Sequence, residues 1–589
     1  MNASFRAFLA RSLPRRIPRA EGARLPIVFV AVFAVLLLAF PASRSNAAYP
    51  AAAEGPSAAV ATENADATHA ALETLRAGGN AVDGAITAAL TLGVVNPISS
   101  GIGGGGFALV YLKKERKVLA FDFRETAPQK IDVERLLAQS GSNAPREQRG
   151  HAVGVPGEPA GLELLNLRYG KRSLAADALP AADLAARGFA LGRHMTDSIA
   201  KLQEYIAVSP DLARVFFPGD HPLGFRSLVR RPELARTLTR FGAEGSRPFY
   251  AGDIGKKIVQ AAKSAGGTLE ESDLTAYRVK ERAPLTRTFG SRTVYAMPAP
   301  SAGGLMLLEA LSIFGADPSS MLGKLGFGSS EYLHMLAEVM RGALADRIRV
   351  AGDPDLETSV NEAYERALSA DRMAARRQRL DPYKTHPAPE FKSQEQGTSH
   401  IVVADVEGNV VSLTTTVNGP FGARIVAGDT GILLNDELTD FSSPSDVSGF
   451  GVIGLGPNRA RPGARPVSSM TPAIVLENSA PILAVGGSGG MRIASNVMQA
   501  TLARLVFQMD PGACVSSPRI FVHGASPEVL VDPEIAEDVR AGMRARGEQV
   551  REERMLSSSV QMVAWDRRGP QPRLLATADP RKHGFAIAQ

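Results

Sequence analysis

A threonine that follows a glycine, at the edge of a strand-like segment, is the first residue that could do chemistry. Gly397-Thr398 joins the polar, Pro-containing stretch 376–397 to the β-branched segment 398–406. A Thr hydroxyl can attack the carbonyl that precedes it, and glycine leaves that carbonyl unshielded. Hydrolysis of the resulting ester frees an N-terminal Thr, whose own α-amine can activate its hydroxyl. Alone, the pair is more typical of an ordinary strand start, so the chemistry depends on what the rest of the chain supplies.

Two segments rich in β-branched residues, 398–406 and 410–418, follow this junction. They flank a short Gly-containing loop, which is typical of a hairpin with a three-residue turn. In that register Thr398 faces Asn418, with Thr416 on the adjacent diagonal, and such partners lie within about 5–8 Å. A slip of one residue would leave the three side chains at the same end. The pattern therefore predicts that they form one group.

The remaining elements must hold that hairpin in place. Residues 64–95 are typical of two helices, and strand-like segments at 107–112 and 118–125 follow a Gly-rich loop. The pattern over 155–295 is mainly helical. Residues 376–397 are polar and poorly periodic, which is typical of an exposed segment.

Several separated blocks accompany the hairpin in a fixed order. They are NPISSGIGGGGF (96–107), FDFRETAP (121–128), GILLNDELTDFS (431–442), RPVSSMTP (465–472) and GGSGGMRI (486–493). Together with GTSH at the nucleophile, these blocks resemble the γ-glutamyltranspeptidases, also called glutathione hydrolases, of the N-terminal-nucleophile hydrolase superfamily. The resemblance runs from about residue 58 to ADPRKHG near the end of the sequence.

The resemblance implies an α/β fold, a four-layer αββα sandwich of the N-terminal-nucleophile hydrolase type. It also implies a precursor that cuts itself between Gly397 and Thr398. Residues 48–397 would then form a large subunit and residues 398–589 a small subunit that begins with the catalytic Thr. The two should stay associated because their strands would share one interleaved core.

The family also implies which residues would carry out the reaction. Thr398 would be the nucleophile, with its hydroxyl hydrogen-bonded by Thr416. The backbone N–H groups of Gly489 and Gly490 would form the oxyanion hole, and glycine permits the close backbone approach that this requires.

A second set would bind the γ-glutamyl group. Arg124 would hold the α-carboxylate, because a guanidinium presents a planar fork to a carboxylate. Ser468 and Ser469 would add hydroxyl donors. The α-ammonium needs acceptors and negative charge, which the resemblance assigns to three residues: Asn418, Glu437 and Asp440. Each of these residues also has an ordinary structural explanation, such as an ion pair or a turn, and the family context favours function.

The implied donor is glutathione or another γ-glutamyl compound, and the implied acceptor is water, an amino acid or a dipeptide. A related branch acts on glutaryl side chains of cephalosporins, which lack the α-ammonium. The carboxylate of Asp440 favours γ-glutamyl substrates over these. Residues 443–463, which would cover the site as a lid, match the family weakly and leave the balance between transfer and hydrolysis open.

Two other functions remain as alternatives. GGSGG (486–490) fits G-x-S-x-G, so a serine hydrolase using Ser488 is the enzymatic alternative, and it would work as an intact chain. A catalytically inactive binding protein of the cell envelope would keep the fold without the chemistry.

The run GIGGGG (101–106) fits G-x-G-x-x-G, but a predicted helix precedes it and a strand follows, the reverse of a dinucleotide site. No metal-ligand spacing occurs, and the implied reaction needs no cofactor.

The first residues differ in composition from the rest. Residues 1–47 hold seven Arg and one Glu, which accounts for the whole formal charge of +6, so the remainder is neutral and has no bulk attraction for nucleic acid. An apolar run from Leu25 to Phe40 and small residues around Ala47 follow the Arg residues. This order predicts a signal peptide and an exported protein, periplasmic or extracellular. If the segment were retained, it would anchor the chain to a membrane.

Overall fold

The computed structural model describes residues 49–138, 149–203, 209–386, 397–442, 447–448, 451–452, 456–523, 528–554 and 558–589. The predicted signal segment, residues 1–47, lies outside this part of the chain, as does the stretch 387–396 and much of the predicted lid. The folded unit comprises Pro50–Gln589. Within the described ranges, none of the helices is both long and apolar enough to cross a membrane.

Two seven-stranded antiparallel sheets lie at the centre of this unit. Sheet 1 contains, in spatial order, Ala53–Gly55, Arg573–Ala578, Ser559–Asp566, Ala480–Ser488, Ala473–Glu477, Arg292–Ala296 and Leu285–Phe289. Sheet 2 contains Phe585–Ala588, Ala59–Thr62, Ser399–Ala404, Val410–Thr416, Gly105–Leu112, Lys117–Phe123 and Lys280–Arg282. Segments from both sides of residue 397 contribute to both sheets.

Helices cover the outer face of each sheet. The main helices beside sheet 2 are Ala65–Arg76, Ala81–Val95, Glu158–Tyr169, Leu174–Arg187, Pro232–Glu244 and Asp253–Ser264. The main helices beside sheet 1 are Gly303–Phe314, Ser330–Val350, Arg492–Leu505 and Pro511–Ser516. Along the strand Ser399–Ala404, Val402 and Ala404 pack between the sheets, whereas Ile401 and Val403 pack against the helices. This two-sided burial gives the predicted four-layer αββα sandwich.

The predicted hairpin is confirmed, but its predicted register is wrong by two residues. Ser399 pairs with Thr415 and Ala404 with Val410, so extending the ladder by one residue places Thr398 opposite Thr416 rather than Asn418. The loop is longer than predicted because Asp405 closes it. Its carboxylate accepts hydrogen bonds from the backbone N–H and the side-chain amide of Asn409, each at 2.9 Å.

The predictions for the other elements had mixed outcomes. The two helices in 64–95 are confirmed, with the Asn64 side chain accepting from the Asp66 N–H at the first helix start. The two strands after the Gly-rich loop are also confirmed. The mainly helical prediction for 155–295 is wrong at its end, where three strands lie between residues 280 and 296. Residues 376–379 continue a helix rather than an exposed coil.

Candidate active site

The junction between Gly397 and Thr398 lies at the end of the central hairpin of sheet 2. Thr398 is 3% exposed, and its hydroxyl contacts the carbonyl oxygen of Gly397. The Thr416 hydroxyl donates to the same carbonyl at 3.3 Å and lies 3.4 Å from the Thr398 hydroxyl. Two hydroxyl groups therefore converge on one backbone carbonyl.

Local backbone geometry holds this group together. Gly397 has a φ of +84°, and a Cβ at this position would lie 2.3 Å from the Asn418 carbonyl oxygen, so glycine is required there. Asn418 also has a positive φ of +70°, and its N–H donates to the Thr416 hydroxyl at 2.8 Å. The Thr416 hydroxyl is thereby oriented to donate toward Gly397.

Arg124 forms the centre of a second, charged group. It is 1% exposed and pairs with the Glu437 carboxylate and, at 2.6 Å, with Asp440. Its remaining donors bind the carbonyl oxygens of Pro466 and Val467 at 3.1 and 3.0 Å. The resemblance implies that Arg124 and the two acids bind opposite charges of one substrate group, and the structure brings all three into direct contact.

Sequence reasoning missed the residues that hold Arg124 in place. Arg465, 3% exposed, donates to Asp122 Oδ1 at 2.9 Å and to the Arg124 carbonyl at 3.0 Å. Asp122 in turn accepts from the Arg124 N–H at 2.9 Å, and the Tyr277 hydroxyl donates to the Arg124 carbonyl at 2.9 Å. Asp122 lies in the same sequence block as Arg124, and Arg465 lies in the same block as Ser468. Their closeness in sequence to predicted site residues was the signal that could have identified them.

Asn418 connects the two groups. Its side-chain amide donates to the Thr439 hydroxyl at 2.9 Å and to the Asp436 carbonyl at 3.3 Å. These contacts fix the turn Glu437–Asp440 next to the end of the hairpin strand. Asn418 therefore contacts the turn that carries the acids.

Ser468 and Ser469 lie beside the carbonyls that bind Arg124. The Ser468 backbone pairs with the loop around Pro300, and its hydroxyl accepts from the Met470 N–H at 3.1 Å. Among the described residues, the Ser469 hydroxyl has no hydrogen-bond partner, although it is buried. No direct bond from either hydroxyl to the Arg124 guanidinium is found in the described part of the chain.

Gly489 and Gly490 follow the central strand of sheet 1 and precede the helix Arg492–Leu505. Their φ angles are +117° and +62°, values that L-residues with a Cβ rarely adopt. Their carbonyl groups accept bonds from the first helical turn. In the regions that the structure describes, no acceptor is found for either N–H group, so both stay available as donors.

Ser488, the nucleophile of the serine hydrolase alternative, does not have the surroundings that this function needs. Its side chain is fully buried, at 0% exposure. Its hydroxyl bonds with the Ser559 hydroxyl at 3.0 Å and with Lys582 Nζ at 2.7 Å. Neither partner is the His of a Ser-His-Asp triad.

Two buried carboxyl groups lie behind the site, and both are shifted toward the neutral form. Burial raises the pKa of Glu125, next to Arg124, to about 8. Burial likewise raises the pKa of Glu158 to about 8, even though the Thr415 hydroxyl donates to its carboxylate. At neutral pH these two acids add little negative charge beside the Arg124 group.

The shift at Glu158 predicts a pH-dependent stability. Between the ordinary pKa of 4.5 and the raised value of about 8, the folded protein keeps a proton that the unfolded chain has lost, so stability falls as pH rises. Glu158→Gln keeps the shape and removes the titration. From pH 5 to pH 8 we expect the free energy of unfolding of the parent to fall by up to about 4 kcal/mol relative to the variant.

Denaturant unfolding in an uncut Thr398→Ala background measures this difference, because one intact chain unfolds in each case. Glu407→Gln is the matched control, since Glu407 is half-exposed and pairs with Lys171 at the surface. Stability curves of the parent and Glu158→Gln that run parallel across this pH range would contradict the assignment.

Known proteins resemble this chain over most of its length. The family model described as Gamma-glutamyltranspeptidase matches residues 67–589. Glutathione hydrolase 2 of Arabidopsis thaliana is 33% identical over 584 residues, covering 95% of this chain and 99% of that protein. The glutathione hydrolase proenzyme of Escherichia coli (strain K12) is 31% identical, covering 89% of this chain and 90% of its own.

A solved structure extends the likeness to the fold. The crystal structure of cephalosporin acylase from Bacillus halodurans superposes with a TM-score of 0.81 over 93% of this chain and 99% of that chain. At 24% identity this match shows the shared fold alone. The family model covers nearly the whole folded unit, and full-length relatives exceed 30% identity. The chain therefore belongs to the gamma-glutamyltranspeptidase family.

Proposed function

We propose that this protein is a self-processing γ-glutamyl hydrolase and transferase whose nucleophile is Thr398. The observation that carries the proposal is the convergence of the Thr398 and Thr416 hydroxyls on the Gly397 carbonyl. A hydroxyl that lies against the carbonyl of the preceding residue is already next to the atom that it must attack. The second hydroxyl can stabilise the charge that develops on the carbonyl oxygen.

In the processing step, Thr398 Oγ1 attacks the carbonyl carbon of Gly397. The new C–O bond replaces the C–N bond, and the hydroxyl proton passes to the departing Thr398 nitrogen. Water then hydrolyses the ester, which gives a carboxylate at Gly397 and restores the Thr398 hydroxyl with a free α-amine beside it.

In turnover, the Thr398 amine takes the hydroxyl proton and Oγ1 attacks the γ-carbonyl of the donor. The free N–H groups of Gly489 and Gly490 stabilise the oxyanion. The amine portion leaves with the proton, and a γ-glutamyl ester remains on Thr398. Water, an amino acid or a dipeptide resolves the ester, and no cofactor takes part.

The charged group around Arg124 supports a γ-glutamyl donor. The α-carbon of such a donor carries a carboxylate and an ammonium, and Arg124 lies in contact with two carboxylates, Glu437 and Asp440. A guanidinium and acids at one place match both charges of that carbon. Relatives named glutathione hydrolases favour glutathione as the donor.

A glutaryl acylase is the second candidate, because the fold is shared with a cephalosporin acylase. A glutaryl group lacks the ammonium, so the substrate would bring no cation to Asp440, which makes this candidate the weaker one. The serine hydrolase alternative is disfavoured because neither side-chain partner of the Ser488 hydroxyl is a histidine. An inactive binding protein would have no use for the converging hydroxyls.

We further propose that the protein acts outside the cytoplasm, as residues 1–47 suggest, and as a large and a small subunit divided before Thr398. Strands from both sides of that bond are interleaved in sheet 2, where Ser399–Ala404 pairs with Ala59–Thr62 and Val410–Thr416 pairs with Gly105–Leu112. The shared sheets support subunits that stay associated after the cut.

Denaturing electrophoresis of the purified protein, with N-terminal sequencing of the smaller band, tests the proposal. We expect two bands, the smaller beginning Thr-Ser-His-Ile, and release of glutamate from a chromogenic γ-glutamyl amide. Catalysis by material in which residue 398 is still within an unbroken chain would contradict the proposed mechanism. Two bands without γ-glutamyl release, but with release from a glutaryl amide, would favour the second candidate.

A further inference from the structure

A closed ring of buried polar side chains lies beside the nucleophile. Lys582 is 3% exposed, and its Nζ donates to Ser488 Oγ at 2.7 Å and to the Thr398 carbonyl oxygen at 3.3 Å. The Glu63 carboxylate, 4% exposed, lies 3.6 Å from the same Nζ. Ser559 closes the ring, because its hydroxyl donates to Glu63 at 2.9 Å and lies 3.0 Å from Ser488 Oγ.

The ring joins parts of the chain that are far apart in sequence. Glu63 follows the strand Ala59–Thr62, Ser488 ends the strand before the two glycines, and Lys582 ends the 3₁₀ turn Pro580–Lys582. A buried ion pair adds little net stability over apolar side chains of the same volume, because both charges lose their hydration. Stability therefore does not account for placing a cation and a carboxylate here.

We propose that Lys582, with Glu63 as its partner, is a positioning residue for the N-terminal nucleophile. It bonds both the Thr398 carbonyl and Ser488, the residue before Gly489, and so fixes the position of the nucleophile relative to the oxyanion hole. Its charge also favours the unprotonated form of the Thr398 amine, the form that acts as base. This inference rests on the proposed function, in which Thr398 becomes a chain terminus.

Thr398 needs other contacts to hold it in place because scission removes its covalent bond to Gly397. Once the bond to Gly397 is cut, Thr398 is covalently held on one side only. In the intact chain its carbonyl accepts from Lys582, and the neighbouring Ser399 hydroxyl accepts from the Asn96 amide at 3.1 Å; neither bond involves the peptide group that scission removes. The Asn96 amide also lies 3.5 Å from the Glu63 carboxylate, so the same ring fixes both residues at the new terminus.

The effect on the amine follows from distance. Because Lys582 Nζ bonds the carbonyl of Thr398, it lies no more than about 7 Å from the nitrogen of that residue. A cation at this distance disfavours the ammonium form of an amine. Glu63 acts in the opposite direction, and no direct contact between it and Thr398 is found among the described residues, so its removal should strengthen the effect of Lys582.

Other charged and titratable groups lie near Lys582. Arg581 is compensated by Asp532 at 2.8 Å and by Asp579 at 3.3 Å. His583 follows Lys582 directly, and His194, from the helix Arg193–Lys201, lies within electrostatic range of both Lys582 and His583. A histidine could itself produce a pH-dependent step, so the experiment needs a histidine control.

The test is the pH profile of kcat/KM for γ-glutamyl amide hydrolysis, which reports the ionisation of the free enzyme. The acid limb of this profile is the rise in kcat/KM as the Thr398 amine loses its proton. Lys582→Met should move this limb to higher pH by about 0.5–2 units. Glu63→Gln, which leaves the lysine uncompensated, should move it to lower pH. Lys582→Arg should stay close to the parent, and His583→Asn should leave the limb unchanged.

Opposite shifts in the two single variants would support the proposal, since general loss of structure would not produce them.

Mass spectrometry follows chain cleavage in every variant. If Lys582→Met does not mature, the double variant Glu63→Gln/Lys582→Met removes both charges without leaving one unpaired, and it should also shift the limb upward. Matured variants with unshifted or equally shifted limbs would overturn the proposal, as would failure of both single variants and the double variant to mature. A parent protein that neither cuts nor releases glutamate would instead refute the proposed function.

Discussion

Replacing Thr398 by alanine should leave a single uncut chain and lower γ-glutamyl release by at least about 10⁴-fold. The hydroxyl of Thr398 is the proposed attacking group in both scission and turnover, so its loss stops both steps. Thr416 cannot replace it, because its hydroxyl accepts a bond from the Asn418 N–H and donates to the Gly397 carbonyl from within the strand. Denaturing electrophoresis and a glutamate-release assay on the same preparation measure the two losses together.

Two matched variants make this result specific. Thr398→Ser keeps a hydroxyl and should retain both cleavage and activity. Thr293→Ala makes the same substitution at an exposed hydroxyl pair in sheet 1 and should behave like the parent. Cleavage of Thr398→Ala at the normal position would show that another group attacks the Gly397 carbonyl, and the proposed mechanism would fail.

Asp440→Asn should lower kcat/KM for a γ-glutamyl amide by about 10²–10³-fold, because the substrate ammonium loses a buried charged partner. The same change should leave kcat/KM for the corresponding glutaryl amide within a few-fold of the parent. Asn keeps the shape of Asp, and the Asp440 carboxylate now lies 2.6 Å from the Arg124 guanidinium. The measurement is the ratio of the two specificity constants in parent and variant.

Asp429→Asn is the control, because Asp429 pairs with Lys257 at the surface and is 70% exposed. This variant should leave the ratio unchanged. If Asp440→Asn lowers kcat/KM equally for the γ-glutamyl and the glutaryl amide, Asp440 acts on Arg124 rather than on the substrate ammonium. In that case Asp440 would not discriminate between γ-glutamyl and glutaryl substrates.

The residues of the candidate site could be found from the sequence because each lies in a short block of unusual composition. The junction at Thr398 combines a glycine with a change from polar to β-branched residues. Arg124, Ser468 and Gly489 lie in blocks that recur in one order in a known family. The sandwich followed from the same resemblance, and the first of the two helices in 64–95 followed from a cap at Asn64 or Asp66 and from the Gly78-Gly79 stop.

The register of the hairpin could not be read in the same way. Side chains alternate between the two faces of a strand, so a slip of two residues leaves every side chain on its original face. The hydrophobic pattern is therefore equal in both registers. The choice is made by Asp405, whose side chain closes a longer loop through Asn409.

Polar contacts between residues far apart in the chain could not be predicted from the sequence either. Nothing in the pattern around Lys582 indicates that it meets Glu63, because the two are separated by most of the chain and meet only when both sheets form. The direct pairing of Arg124 with Glu437 was missed for a similar reason. Sequence blocks assign residue types to a site, whereas contacts depend on how the layers bring those blocks together.

The alternation of segments in sheet 2 has a consequence for recovery from denaturation. The strand Ser399–Ala404 is flanked by Ala59–Thr62 on one side and by its hairpin partner on the other. A precursor assembles this order in a first-order reaction within one molecule. After the proposed scission the same order would require an encounter between two polypeptides, so renaturation would become second-order and its yield would depend on concentration. Heat-inactivated mature enzyme should consequently regain its activity less readily than the uncut Thr398→Ala chain regains its fold.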